Sequence, residues 1–160
     1  MRPLYAEKIE PVIALTGLKR LIGLPVILEG KRIGIVERGV LTKDGKNLRG
    51  LLVRDGLRVS RWIDAKNIVL MGKLSVISRA RPSRPPKASD FKLFRVTDTA
   101  GLRVGIVTDA LLDEETLHVT ALEISSGPMD DLIDGRFFAT SFEVKSLGDA
   151  GHVTIPYKES

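Results

Sequence analysis

Cysteine is absent from all 160 residues. That one absence excludes structural disulfides, thiolate zinc sites, iron–sulfur clusters and thiol nucleophiles, and it is compatible with the cytoplasm. Aromatic residues are scarce at 5%, with Trp62 the single tryptophan. A core therefore has to be assembled from Val, Ile and Leu, and no stacking platform for single-stranded nucleic acid stands out. Long apolar runs are missing too. Val12-Ile13-Ala14-Leu15 is broken by Thr16, Gly17, Lys19 and Arg20, far short of the roughly 20 residues of a spanning helix, so neither a transmembrane segment nor a signal peptide is expected.

The remaining composition, 43% hydrophobic and 28% charged, is that of an ordinary globular chain. The net charge of +5 is unevenly spread. Residues 1–78 carry 15 Lys+Arg against 7 Asp+Glu, residues 79–90 carry 4 against 1, and residues 91–160 carry 6 against 12. A basic front and an acidic back can each meet an oppositely charged partner, or attract one another. Between them, Arg79-Ala80-Arg81-Pro82-Ser83-Arg84-Pro85-Pro86-Lys87-Ala88-Ser89 holds three prolines and four cations and no large apolar residue. It reads as an extended, semi-rigid linker that neither enters a sheet nor continues a helix.

The sequence repeats itself on either side of that stretch. Gly30-Lys31-Arg32-Ile33-Gly34-Ile35-Val36 matches Gly101-Leu102-Arg103-Val104-Gly105-Ile106-Val107 at an offset of 71, and the register continues through Leu41/Leu112, Leu51/Leu122 and Val53/Ile124. Beyond this the second copy gains five residues, and an offset of 76 places Ile68 on Val144 and Val76 on His152. Two homologous units of about 65 residues account for this. Within each, apolar residues alternate as in strands (Ile33 and Ile35, Leu51 and Val53, Leu57 and Val59), and Asp44-Gly45 and Asp55-Gly56 are hairpin turn signals. Gly34 and Gly105 lie inside strand patterns, where a missing side chain marks a bulge, a barrel corner or close backbone packing. The expectation is all-β: two tandem small barrels, closed to remove their edges, with helix limited to short turns such as Ala65 to Ile68 and Ser141 to Val144.

The order of these signals resembles the PRC-barrel family, small β-barrels named for the cytoplasmic domain of the photosynthetic reaction centre H subunit and found also in a bacterial ribosome maturation factor. Each unit has an opening strand, Leu21-Ile22-Gly23-Leu24-Pro25-Val26 or Leu93-Phe94-Arg95-Val96, then the Gly-x-x-[Ile/Val]-Gly-x-Val block, then a strand around Leu51 or Leu122. A segment like Trp62-Ile63-Asp64-Ala65-Lys66-Asn67-Ile68 leads to a terminal [Met/Leu]-Gly. The resemblance implies a first PRC-type barrel over 12–78, the linker over 79–90 and a second barrel over 91–157. Neither the barrel that precedes the PRC-barrel in the ribosome factor nor the membrane helix of the reaction-centre subunit is visible, so a stand-alone tandem bacterial protein is expected. Membership implies docking or assembly, with no shared catalytic residues to carry over. The second copy alone inserts Gly127-Pro128-Met129-Asp130-Asp131-Leu132-Ile133-Asp134, a candidate specialised surface loop.

Residues with catalytic chemistry are not gathered into a motif. His118 and His152 lie in different strand patterns without a ligand-spaced companion, and read as surface or sheet histidines. Asp113-Glu114-Glu115 and Asp130-Asp131 with Asp134 lack calcium-loop spacing and read as solvated turns. Gly30-x-x-x-Gly34 lacks the Lys-Ser/Thr and the helix of a phosphate loop. No catalytic, metal or cofactor residue is assigned, and no enzyme is expected. Trp62 beside Arg61 has two open readings, a partner's anchor or barrel core.

The sequence reading is thus a non-catalytic interaction or assembly adaptor of the bacterial cytoplasm. Arg61, Trp62, Met129, Asp130 and Asp131 are its candidate contacts to a protein partner of unknown identity, with homo-oligomerisation also open. The alternative is an RNA- or ribosome-associated factor, holding phosphate through Arg79, Arg81, Arg84 and Lys87. Attraction of the basic half to anionic lipid, without insertion, is a third partner class.

Overall fold

The structure is a computed structural model that describes residues 14–56, 59–87 and 89–157. Val12 and Ile13 of the first apolar run, Leu57 of the strand alternation and Ala88 of the linker lie outside the described residues. A short strand, β1 (Leu15–Gly17), and one helical turn, α1 (Leu18–Leu21), come first. Six strands follow: β2 (Pro25–Leu28), β3 (Lys31–Leu41), β4 (Leu48–Arg54), β5 (Ser60–Asp64), β6 (Ile68–Met71) and β7 (Val76–Ser78). After the linker come β8 (Lys92–Asp98), β9 (Arg103–Asp113), β10 (Val119–Ser125), the helix α2 (Pro128–Asp134), β11 (Phe137–Ala139), β12 (Glu143–Leu147) and β13 (Ala150–Ile155).

The repeat in sequence is a repeat in topology. The first sheet runs β5-β4-β3-β2-β7-β6 and the second β11-β10-β9-β8-β13-β12, with β1 added antiparallel to β9. Each has the same parallel contact, β2 with β7 and β8 with β13, amid antiparallel neighbours. The repeated strand glycines answer to the same constraint in both copies. A Cβ on Gly34 would stand 2.8 Å from the Arg54 carbonyl oxygen, and one on Gly105 would overlap the carbonyl of Ser125. Arg54 and Ser125 are themselves 71 residues apart, so close backbone approach is what the glycines are for.

Several expectations are corrected. The sheets curl as half-barrels rather than closing, and their ladders end at β5 and β6 and at β11 and β12. Ser141 to Val144 is not helical: Glu143 and Val144 belong to β12, whereas Ala65–Asn67 is a 3-10 turn capped by the Asp64 carboxylate. The inserted loop is the helix α2, started by Pro128 and stopped at Gly135 with φ +74°, the usual Pro-first, Gly-last asymmetry. The offset of 76 fails in the last hairpin. Pairing of Val26 with Val76 and of Val96 with Val153 sets β7 on β13 at 77, and the later turn between β12 and β13 puts Val144 where Met71 stands.

The linker is not a free spacer either. Trp62 N–H donates to the Ser83 carbonyl and Ser83 N–H to that of Trp62, both at 2.8 Å, so one linker residue pairs with the edge of β5. Arg79 N–H donates to the Asn67 carbonyl at 2.8 Å, and the Arg38 guanidinium bonds the Ser89 carbonyl and the Asp90 carboxylate. Its prolines forbid a continuous strand, but a single residue between them satisfies the edge.

The two units meet at equivalent positions. Leu48 N–H donates to the Leu117 carbonyl at 2.9 Å and Val119 N–H to the Lys46 carbonyl at 2.8 Å, on either side of a bridge between Asn47 and His118. With the offset of 71, each bond is the image of the other, so the seam lies on a pseudo-two-fold axis through Asn47 and His118. Lys19 N–H to the Asp109 carboxylate, at 3.2 Å, and the Arg38 guanidinium to the Asp90 carboxylate link a second set of equivalent positions, through different atoms. Across the seam Leu21, Val36, Leu51 and Ile63 of the first unit belong to the same buried cluster as Leu112, Leu122, Ile124 and Val153 of the second.

Gly105→Ala and Gly34→Ala each press a methyl group onto a strand carbonyl. Each is expected to lower stability by about 1–3 kcal/mol, measured as the shift in urea unfolding midpoint.

Candidate interaction surface

The structure separates the residues that the sequence groups together. Arg61 is exposed, but its neighbour Trp62 is only 4% exposed and packs with Val40, Leu52 and Phe91 in a second buried cluster. Of the two readings of Trp62 this is the core one: in a strand, neighbours face opposite ways, so Arg61 points outward while the Trp62 ring packs inward on Val40, Leu52 and Phe91. The Arg49 guanidinium lies 5.9 Å from its ring centroid. Arg79, Arg81, Arg84 and Lys87 are exposed along the linker.

The histidines and one acidic group are occupied structurally. His118 Nδ1 bonds Asn47 Oδ1 at the seam, and His152 Nε2 lies 2.9 Å from Thr97 Oγ1. Asp113 accepts the N–H groups of Glu115 and Thr116 at 2.8 and 3.1 Å, which hold its carboxyl below its ordinary pKa and make it a turn residue.

The inserted segment is different. Met129, Leu132 and Ile133, spaced i, i+3 and i+4 on α2, are 72, 83 and 75% exposed, while a helix on a folded domain ordinarily turns such a stripe inward. The helix faces this way because its polar side is tied down. Asp131 Oδ2 accepts from Ser125 Oγ at 2.6 Å and from Arg136 Nε at 3.4 Å, and Arg136 Nη1 donates to Glu123 Oε1 at 2.9 Å. Thr108 Oγ1 donates to the same Glu123 oxygen at 2.8 Å. This Thr108 bond, with Arg136, holds Glu123 below the usual carboxylate range against the opposing effect of burial, and Glu123 and then Asp131 hold Arg136 above its ordinary value. Asp130 is exposed and free to meet a partner, whereas Asp131 is half-buried and serves to place the helix.

A second surface lies on the first unit. A cavity of about 390 Å³ beside Gly34 is walled by Arg32 and Arg54, and one of about 430 Å³ by Arg61 and Arg81. Both are lined by Ile33 and Asp55, so they adjoin. Arg54 is paired with Glu37 at 3.0 Å. Strand order brings β3, β4, β5 and the linker to this corner, so it takes one of the linker cations, Arg81, and adds Arg32 and Arg54, which no linear motif joins.

In a scan of family models, residues 87–159 match the one described as PRC-barrel domain. Residues 87–159 are a PRC-barrel domain. No curated protein matches the chain. The PRC-barrel domain spans β8 to β13, including α2. Its presence points to an interaction or assembly role in general. Leu132 and Ile133, inside the candidate surface loop but not among its candidate contacts, and Phe138 are exposed residues of this domain that the sequence does not single out. The spacing of Met129, Leu132 and Ile133 between Gly127-Pro128 and Gly135 is the signal that marks them.

Acid should loosen α2 before it unfolds the PRC-barrel domain. Glu123's folded-state pKa is depressed, so its stabilisation is complete above the unfolded value of about 4.3 and is lost as pH falls through the lower folded value. Glu123→Gln is expected to flatten the loss of stability in that acid window, measured by denaturant midpoints from pH 6 downwards.

Proposed function

We propose that this chain is a non-catalytic docking module of the bacterial cytoplasm, built of two PRC-type barrels, and that it binds a protein partner through α2. The same strand order in both halves supports reading the first unit as a second barrel of this type. One observation carries the docking reading: Met129, Leu132 and Ile133 form an exposed apolar stripe on a helix fixed by the Asp131–Arg136–Glu123 chain. Such a patch with a polar rim is the anatomy of an interface, and a pre-positioned helix loses little freedom on binding. Asp130 at its margin favours a partner with a basic rim.

Leu132→Asp with Ile133→Asp changes only exposed positions. The doubly substituted chain is expected to keep its melting temperature and to lose, by at least about 2 kcal/mol of binding free energy, a protein captured by the wild-type chain from nuclease-treated lysate. Retention of that protein at equal strength would refute the α2 site.

The arginine corner favours a second reading, association with RNA or the ribosome. Arg32, Arg54, Arg61 and Arg81 converge there, and clustered cations hold phosphate by releasing counterions. Under this reading Arg61→Glu with Arg81→Glu removes binding to a labelled RNA, and wild-type binding falls steeply between 50 and 200 mM salt. Salt-insensitive capture of a protein after nuclease treatment decides for the first reading.

A further inference from the structure

Among the described residues, the edge of β5 is occupied and the equivalent edge of the PRC-barrel domain is not. β4 pairs Leu51 with Ile63 and Leu52 with Trp62, and β10 pairs Leu122 with Ala139 and Glu123 with Phe138. Phe138 therefore stands where Trp62 stands. Trp62 directs its N–H and carbonyl away from β4, into the two bonds with Ser83, and the shared register directs those of Phe138 away from β10 in the same way. Among the described residues, neither group of Phe138 has an outward hydrogen-bond partner. The side chains differ as the edges do, with Phe138 54% exposed against 4% for Trp62.

We propose that the edge of β11 takes an extended, basic, proline-flanked segment of a partner polypeptide, in the manner in which β5 takes Pro82-Ser83-Arg84. An unpaired N–H and carbonyl on one edge residue call for one residue of extended backbone, as in strand addition. Prolines on either side hold such a segment extended before it binds and stop it from pairing further. Beside the edge lies a cavity of about 340 Å³ lined by Val104, Phe137, Phe138, Ile155 and Tyr157, able to take a proline ring. In the first unit Ile33, the repeat equivalent of Val104, lines with Pro82 the cavity beside β5. The basic character follows from charge. Asp98 lines the same cavity, and residues 91–160 carry 12 acidic against 6 basic residues. The chain's own linker cannot be the occupant while it is bonded to β5.

This inference rests on the docking reading and narrows it to a partner chemistry and a second contact. The probe is a fluorescein-labelled synthetic peptide of the sequence Arg79–Asp90, titrated into the full chain by anisotropy, with backbone amide shifts recorded by NMR. Saturable binding is expected, with the largest shifts at Phe137–Ala139. Methylating the peptide nitrogen of the serine equivalent to Ser83 should weaken binding at least about tenfold, because it removes one of the two backbone bonds without altering the protein. Equal affinity of the methylated peptide, shifts confined to Ser60–Asp64, or no saturable binding would each overturn the proposal. So would a dimer in sedimentation whose Phe138 amide is protected from exchange without peptide, since the edge would then pair with a second copy. If the peptide fails while the chain with Leu132→Asp and Ile133→Asp still loses its captured protein, the edge site falls and the docking module stands; failure of both removes both.

Discussion

The two backbone bonds on either side of Asn47 and His118 set the form of the whole molecule. They join two units of the same topology through the same residues of each, and this is the geometry of a symmetric dimer within one chain. Across this self-complementary seam, side chains of both units enter one buried cluster. Leu117 and Ile68 are only partly buried yet pack on the common core, and Gly45 is held so close to Val144 that an added Cβ would stand 2.8 Å from that side chain. A small half-barrel buries little by itself; doubling the unit and sharing the core removes that weakness.

Among the described residues, no ion pair joins the first unit directly to the second. The seam combines backbone hydrogen bonds and apolar side chains with a few polar side-chain bonds, Lys19 N–H to the Asp109 carboxylate and Thr16 Oγ1 to Glu114 Oε1 at 2.7 Å, and with the Lys46 ammonium 3.8 Å from the Phe142 ring centroid. Arg38 pairs with Asp90, at the linker's end, while Arg54–Glu37 lies within the first unit and Arg136–Glu123 within the second. The charges are therefore left facing outward, where they steer encounters with other molecules.

The architecture was legible in the sequence because duplication wrote it twice. A Gly-x-x-[Ile/Val]-Gly-x-Val block alone is weak, but at a constant offset it implies the same strands, and Gly34 and Gly105 meet the same carbonyl in each copy. Less legible was whatever depends on which residues come together. Ser141 to Val144 is strand because hydrogen bonds to β13 outweigh a local resemblance to Ala65–Ile68. Ser83 pairs with β5 although prolines surround it, since one residue suffices to satisfy an edge. Trp62 and Phe138 hold the same place, yet one is core and the other surface, because Trp62 packs on Val40, Leu52 and Phe91, an association that sequence pattern does not place. The arginine corner joins four residues far apart in the chain for the same reason.

The inserted helix has a consequence for stoichiometry. A dimer of identical subunits would present α2 twice, at opposed positions, and could bridge two partner molecules into an open-ended network. Joining the units in one chain allowed an insertion in only one of them, so α2 occurs once. On the docking reading proposed above, one chain offers a single α2 site, so each chain takes one partner molecule there.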